Sequence, residues 1–257
     1  MAPPQAAEID EARELFDRAV AEVRAGVGLV VDNFTRLVDN LNDHRWLVAA
    51  GGLLTVAGWE WAKGKIDELR AGVVELLDKA QYALDHSTPI ISLILTSFDW
   101  VSGVYGPASD IAGRVPVKAD HLLYWKGEAA DAYAAKLSAQ AAAAGDVAAK
   151  ADAVSTWLFT VVKANVEYLV TMGGYISILA GDLAAAAIDA ASVAGFLEAI
   201  GKCGSMLGRV IEKGLNDLMN LSKRLVDQLK NVRDIEAMVT GKEKMPGGHW
   251  PQAVGAL

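Results

Sequence analysis

The chain has 257 residues, 53% of them hydrophobic, and a formal net charge of −8. That length supports one large domain or two small ones with a sizeable core, and that apolar content excludes general disorder. The acidic balance argues against bulk nucleic-acid binding, and the single cysteine, Cys203, excludes an internal disulfide framework or a zinc site built on thiolates.

Only seven prolines are present, so long uninterrupted helices are permitted. Residues 6–43 read as the first. Ile9, Ala12, Phe16, Ala19, Val23, Val27, Val30, Phe34, Leu37 and Leu41 step by three or four, with charges on the other face. Asn40-Leu-Asn-Asp43 reads as an end or weak point. An apolar run with three glycines follows, Trp46–Trp61, containing Trp46, Leu53, Leu54, Trp59 and Trp61. Three uses fit it: a buried helix or hairpin, a surface that pairs with another chain, and a candidate membrane-inserting segment.

Residues 62–86 continue as a helix with Ile66, Leu69, Val73, Leu76, Leu77, Ala80 and Leu84 as its stripe. Ser87-Thr88-Pro89 breaks it and starts the next, with Thr88 as N-cap and Pro89 in the first turn. From Pro89 to about Tyr105, Ile90, Ile94, Phe98, Val101 and Val104/Tyr105 share a face, with Trp100 at its flank. Gly106-Pro107 is expected to end this helix. Residues 106–123 read as a compact loop with a short helix.

Tyr124-Trp125-Lys126-Gly127-Glu128 reads as a tight connection between two antiparallel helices. Gly127 supplies backbone freedom, Glu128 and Asp131 suit the positive end of the next helix, and Trp125 can seal the end of the seam. The chain after Gly127 is helical to roughly Met172. Fourteen of residues 128–154 are alanine, which favours the helix and lets a neighbour approach closely. Gly173-Gly174 is expected to bend or break it. Tyr175–Ile200 reads as another helix, apolar nearly all round and hence central in a bundle or bound to a partner.

The last helix has the cleanest period. Leu207, Ile211, Gly214, Leu218, Leu221, Leu225, Gln228, Val232, Ile235 and Val239 alternate steps of four and three, a heptad seam. It serves either as one member of an intramolecular bundle or as a self-association seam. Residues 202–244 hold nine Lys/Arg against six acids, a mildly basic helix on an acidic body. Met245-Pro-Gly-Gly-His-Trp250-Pro ends the helix and begins a tail. The expected architecture is therefore all-α, an elongated bundle of long antiparallel helices in a single domain. It divides into N-terminal helices (1–88), a hairpin (89–172), C-terminal helices (173–244) and a tail (245–257).

No catalytic site is expected. His44, His86, His121 and His249 fall near helix ends or in loops, with no metal-ligand spacing between them, and no phosphate-binding loop or nucleophile elbow is present. Asp182 and Asp189 share a helix face without bases nearby. Cys203 reads as a buried small hydrophobe, with a dimer-linking thiol as the alternative. No cofactor or metal is expected. The N-terminus has neither the basic nor the apolar region of a Sec signal peptide. The longest uncharged stretches, Trp46–Trp59 and Tyr168–Gly181, have 14 residues each, short of the ~20 that span a bilayer, so no constitutive membrane helix is expected.

Trp125-Lys126-Gly127, followed by Ala129, Ala130, Tyr133 and Leu137 with a long helix on each side, resembles the motif of the WXG100 (ESX) superfamily, most closely its larger actinobacterial, EspB/PPE-like type VII secretion substrates. The resemblance covers roughly residues 89–170. It implies a non-enzymatic helical hairpin with arms at 89–124 and 128–170, synthesised in the cytoplasm and exported by a non-Sec route. It also implies association with a second copy or another WXG100-like protein, and a Trp125–Gly127 tip that takes part either in recognition by a secretion ATPase or in closing the bundle end. One departure stands out. The Tyr-x-x-x-Asp/Glu signal expected after the second arm is missing, since Tyr168 is followed four on by Met172 and Tyr175 by Leu179. The other reading of the chain is a membrane-active, pore-forming helical protein that inserts the Trp46–Trp61 hairpin.

Overall fold

A computed structural model describes residues 6–43, 56–86, 88–115, 124–192, 195–206, 211–230, 232–245 and 248–252. The elements are α1 (Ala6–Asp43), α2 (Val56–Asp85), α3 (Thr88–Trp100), a π-helical turn (Val101–Tyr105), α4 (Gly106–Arg114), α5 (Glu128–Ala190), α6 (Phe196–Met206), α7 (Lys213–Lys230) and α8 (Val232–Thr240). The fold is all-α, with no strand among the described residues.

Contacts divide the chain into two compact units. One draws on Met1–Glu11, Ile90–Val162 and Val226–Leu257, the other on Ala12–Pro89 and Lys163–Leu225. Helix α5 supplies residues to both.

In the second unit the core forms where apolar stripes meet. Val23, Val30, Leu37 and Leu41 of α1 join Leu69, Val73, Leu76 and Ala80 of α2, and Met172, Ile176, Leu179 and Leu183 of α5. Ile200, Cys203 and Met206 of α6, with Ile211 and Leu218, close the cluster. Each fully buried Leu, Ile or Met contributes about 1.5–3 kcal/mol of transfer free energy. The periodicity read for α1 and α2 is the one observed, with Val27, Phe34, Ile66 and Leu77 half-buried at the edges.

Two asparagines set how α1 lies on α5. Asn33 Nδ2 donates to the carbonyl of Ala180 at 3.0 Å, and Asn40 Nδ2 to that of Ala187 at 2.7 Å. Each residue of the second rung lies seven positions beyond its counterpart in the first, two helical turns on the same face. Glu22 and Val23 lie beside Gly173, and Gly26 beside Ile176. Contacts advance along both helices together, so this pair runs parallel rather than antiparallel. Asn40 is thus an anchor to a neighbouring helix as well as a residue near a helix end.

The expected break at Gly173-Gly174 does not occur: α5 is continuous from Glu128 to Ala190. Gly173 is buried against α1, and packing there outweighs the intrinsic helix cost of a glycine, about 1 kcal/mol. The chain turns instead after Ala190. Ser192 Oγ accepts the Gly195 amide at 3.0 Å and donates to the Asp189 carbonyl at 3.3 Å. A Cβ on Gly195 would sit 2.4 Å from that carbonyl oxygen, so the close return of the backbone needs glycine. Tyr175–Ile200 is therefore divided between two helices. Beyond the turn, α6 packs on α2.

On α7, Asp217 accepts a hydrogen bond from the Tyr175 hydroxyl, Ser222 bonds to Tyr168, and Arg224 lies 3.9 Å from Glu167. These contacts climb α7 as they descend α5.

In the first unit, Gly106-Pro107 does not end the helix. The Gly106 amide bonds to the carbonyl of Val101, a widened π turn, and the chain then stays helical to Arg114. Proline has no amide hydrogen and its ring crowds the carbonyl one turn back. A widened turn takes up that mismatch without stopping the helix. The buried face of α3 is Ile90, Ile94 and Ser97, whereas Phe98 is exposed. Ser97 displaces Phe98 because the helices close on a pair of serines. Ser97 Oγ donates to the Ser155 carbonyl at 3.0 Å, and Ser155 Oγ donates to the Ser97 carbonyl at 2.9 Å. Both residues are fully buried, and a phenyl ring could not fit where two backbones approach so closely.

Candidate functional site

The Trp-x-Gly turn is built from the backbone outward. Gly127 has φ of +103°, a conformation that disfavours any side chain. Its carbonyl accepts the amides of Ala130 at 3.0 Å and Asp131 at 3.1 Å, which opens α5. Glu128 and Asp131 occupy that first turn, where the helix dipole favours carboxylates. The Trp125 ring leans on Tyr133, with centroids 5.6 Å apart and planes tilted by 47°, an aromatic pairing worth about 0.5–1.5 kcal/mol beyond area burial. Tyr133 and Ala130 are half-buried, Leu137 is buried, and Ala129 is exposed. Trp125 itself remains 43% exposed and Tyr124 90%, so the turn presents two aromatic faces to solvent.

The heptad seam distributes differently. Ile211, Gly214 and Leu218 are buried, Leu221 and Ile235 half-buried, and Ile211 and Leu218 belong to the core of the second unit. A Cβ on Gly214 would sit 3.0 Å from the Tyr175 ring. The chain itself therefore encloses this stretch of the seam. Leu207 and the side chains of Leu225, Gln228 and Val232 lie outside the described residues. Of the apolar run, Trp46, Leu53, Leu54 and the Trp59 side chain also lie outside them, while Trp61 is exposed on α2.

No family model, curated protein or solved structure matches this chain. The chemistry of the site rests on its own residues.

Asp189 is engaged by Lys202 across the turn that follows α5, and Glu198 lies 3.6 Å from the same ammonium. The hydrogen bond that the Lys202 ammonium donates to Asp189 is the main cause that raises the Lys202 pKa. Burial pushes the Cys203 thiol up to about 11, and a thiol held protonated inside a core is a poor nucleophile. No group of three or more metal-ligating side chains occurs among the described residues.

The stretch after α8, read as a tail, is fastened to α5. Lys150 donates to the Gly241 carbonyl while pairing with Asp146 at 2.8 Å, and Gln140 Nε2 donates to the Pro251 carbonyl at 2.8 Å. Two clefts open beside this segment, of about 390 and 350 Å³. The sequence offered a hint in the Gly-Gly-His-Trp-Pro composition, but not which surface it meets, because Gln140 and Lys150 lie in an alanine-rich run without tertiary signal.

Proposed function

We propose that this protein performs no chemistry of its own and acts by helix–helix association, as a WXG100-like substrate or adaptor of a type VII secretion pathway. The observation that carries the reading is the register around the Trp-x-Gly turn. Ser97 pairs with Ser155, and Trp100 and Val104 line one cleft with Ala151 and Val147. Each step away from Gly127 on α3 is matched by a comparable step away from it on α5. That order supports an antiparallel hairpin with Trp125 and Gly127 at its tip.

A surface for association is available on α5. Val170, Gly174, Ile178, Gly181, Ala185 and Ile188 step by four and three and are all exposed, with Val170, Ile178 and Ile188 at 44%, 53% and 72%. Exposed apolar faces of this length are characteristic of helix pairing. The partner is a second copy or another WXG100-like helix, and either that partner supplies the missing export signal or the chain is not exported by itself. Trp125 is the contact offered to a secretion ATPase.

Light scattering after gel filtration on Trp125→Ala tests this. The expected result is a loss of about 1 kcal/mol of stability together with weaker association. If thermal stability and association are both unchanged, the reading fails.

A second reading has one observation in its favour. Helix α5 is long and apolar enough to cross a membrane by length and composition, with mean hydropathy 1.5 over its best window, 44% of which is buried. The core helix of a water-soluble bundle passes the same criterion. Absence of leakage from liposomes over a wide range of lipid compositions would remove this membrane-active alternative.

A further inference from the structure

We propose that the groove between α5 and the segment after α8 is a binding site for a small organic monoanion with a flat apolar body. The proposal is independent of the association reading. The groove's wall, in residues 241–245 and 248–252, is held to α5 at Gly241 and Pro251. Lys150 holds Gly241 and Gln140 holds Pro251. Between them the Met245 amide bonds to the Lys242 carbonyl at 3.0 Å and the Gly248 amide to the Met245 carbonyl at 2.8 Å. Gly248 has φ of +78°, and a Cβ there would sit 3.0 Å from Lys242 Nζ, so this second turn needs glycine. Wall residues held by these bonds lower the ordering cost of binding.

The open groove, of about 390 Å³, has room for one ring-bearing molecule. Trp250, Pro251 and Ala142 give it an apolar surface. Lys136 on α5 and Lys244 on the wall, far apart in sequence, both reach it, as does His249. Neither lysine has an ion-pair partner among the described residues. The groove also contains one acid, Glu243. Two lysines against one carboxylate leave a single positive charge, on a chain whose net charge is −8. A carboxylate or sulfonate on a planar ring system matches both features, with the charge between the ammonium groups and the ring against the Trp250 indole.

The probe is 2-naphthoate, with 2-naphthamide as its uncharged counterpart. Binding is followed by calorimetry and by the indole N–H resonance of Trp250, assigned through Trp250→Phe. The expected result is saturable one-to-one binding that shifts the Trp250 resonance. It is weakened about ten-fold by the loss of charge in the amide, and by a similar factor in Lys136→Ala and Lys244→Ala with unchanged circular dichroism. Two outcomes overturn the proposal. One is no saturation at millimolar 2-naphthoate. The other is binding indifferent to both lysines and to Trp250→Ala.

Discussion

Gly26 of α1 faces Ile176 of α5 so closely that an added Cβ would sit 2.5 Å from Ile176 Cγ2. Ile176 is fully buried and its branch methyl has nowhere to go. Gly26→Ala should therefore destabilise by about 1–3 kcal/mol despite the better helix propensity of alanine. Chemical denaturation reads the change, and Ile176→Ala in the same chain should cost less than it does alone, because the two share one space. A gain in stability from Gly26→Ala would show that the helices separate freely there. Tyr175 offers a pH test. Its pKa is raised, first by the hydrogen bond to Asp217 and then by burial. A folded-state pKa above the unfolded value means that the stabilisation is complete below the unfolded value, about 10, and is lost as pH rises through the folded value. Tyr175→Phe should lower stability by about 1 kcal/mol at neutral pH and flatten its decline above the ordinary tyrosine range. Lys202 titrates with the same sign, so the difference between the two proteins in thermal midpoint against pH isolates the phenol.

Between helices, the polar rungs carry the specificity. Asn33 and Asn40 bond to carbonyls that already serve their own helix, so removing either side chain orphans no buried group. Asn33→Ala and Asn40→Ala should each cost about 1 kcal/mol, with amide exchange in α1 accelerating before that in α2. Ser97→Ala and Ser155→Ala should couple in a double-mutant cycle, since each hydroxyl serves the other's backbone. Asparagine and serine of this kind are where the sequence was least legible. The bounds of α1 and the buried stripes of α1 and α2 could be read because a one-sided helix repeats its apolar residues every three or four positions. The interior of α5 could not. It is apolar all round, so periodicity does not say which face α1 takes, and glycine propensity suggested a bend or break where the helix runs on unbroken. Ser97 was passed over for Phe98 because hydrophobicity ranks phenylalanine higher, and the sequence does not record how near α5 comes. The start of α5 at Gly127 was legible for a local reason: the glycine backbone, its carbonyl accepting the first amides of the helix and the acids of the first turn are all set by neighbouring residues.

For the molecule as a whole, the question is what α5 keeps for itself and what it offers outward. Leu179 is fully buried and Ile178, its neighbour, is 53% exposed, so adjacent positions face the core and the solvent. Leu179→Glu would place a charge in the core of the second unit, a change that unfolds marginal proteins. Ile178→Glu places the same charge on the outward stripe, where a surface substitution changes stability by no more than about 0.5 kcal/mol. If the stripe is the association surface, Ile178→Glu should keep the thermal midpoint and helicity of the parent chain and lower the mass seen by light scattering. Gly181→Glu should act in the same way, since a long side chain would also block close approach of a second helix. The comparison with Trp125→Ala is informative because Trp125 touches Tyr133 at the turn and Ile178 lies in the second unit. Loss of association from both changes would mean that the turn and the stripe serve one partner event. Loss from Ile178→Glu alone would assign pairing to α5 and leave the turn to a separate contact. Retained association with both stripe variants would overturn the stripe as the pairing surface.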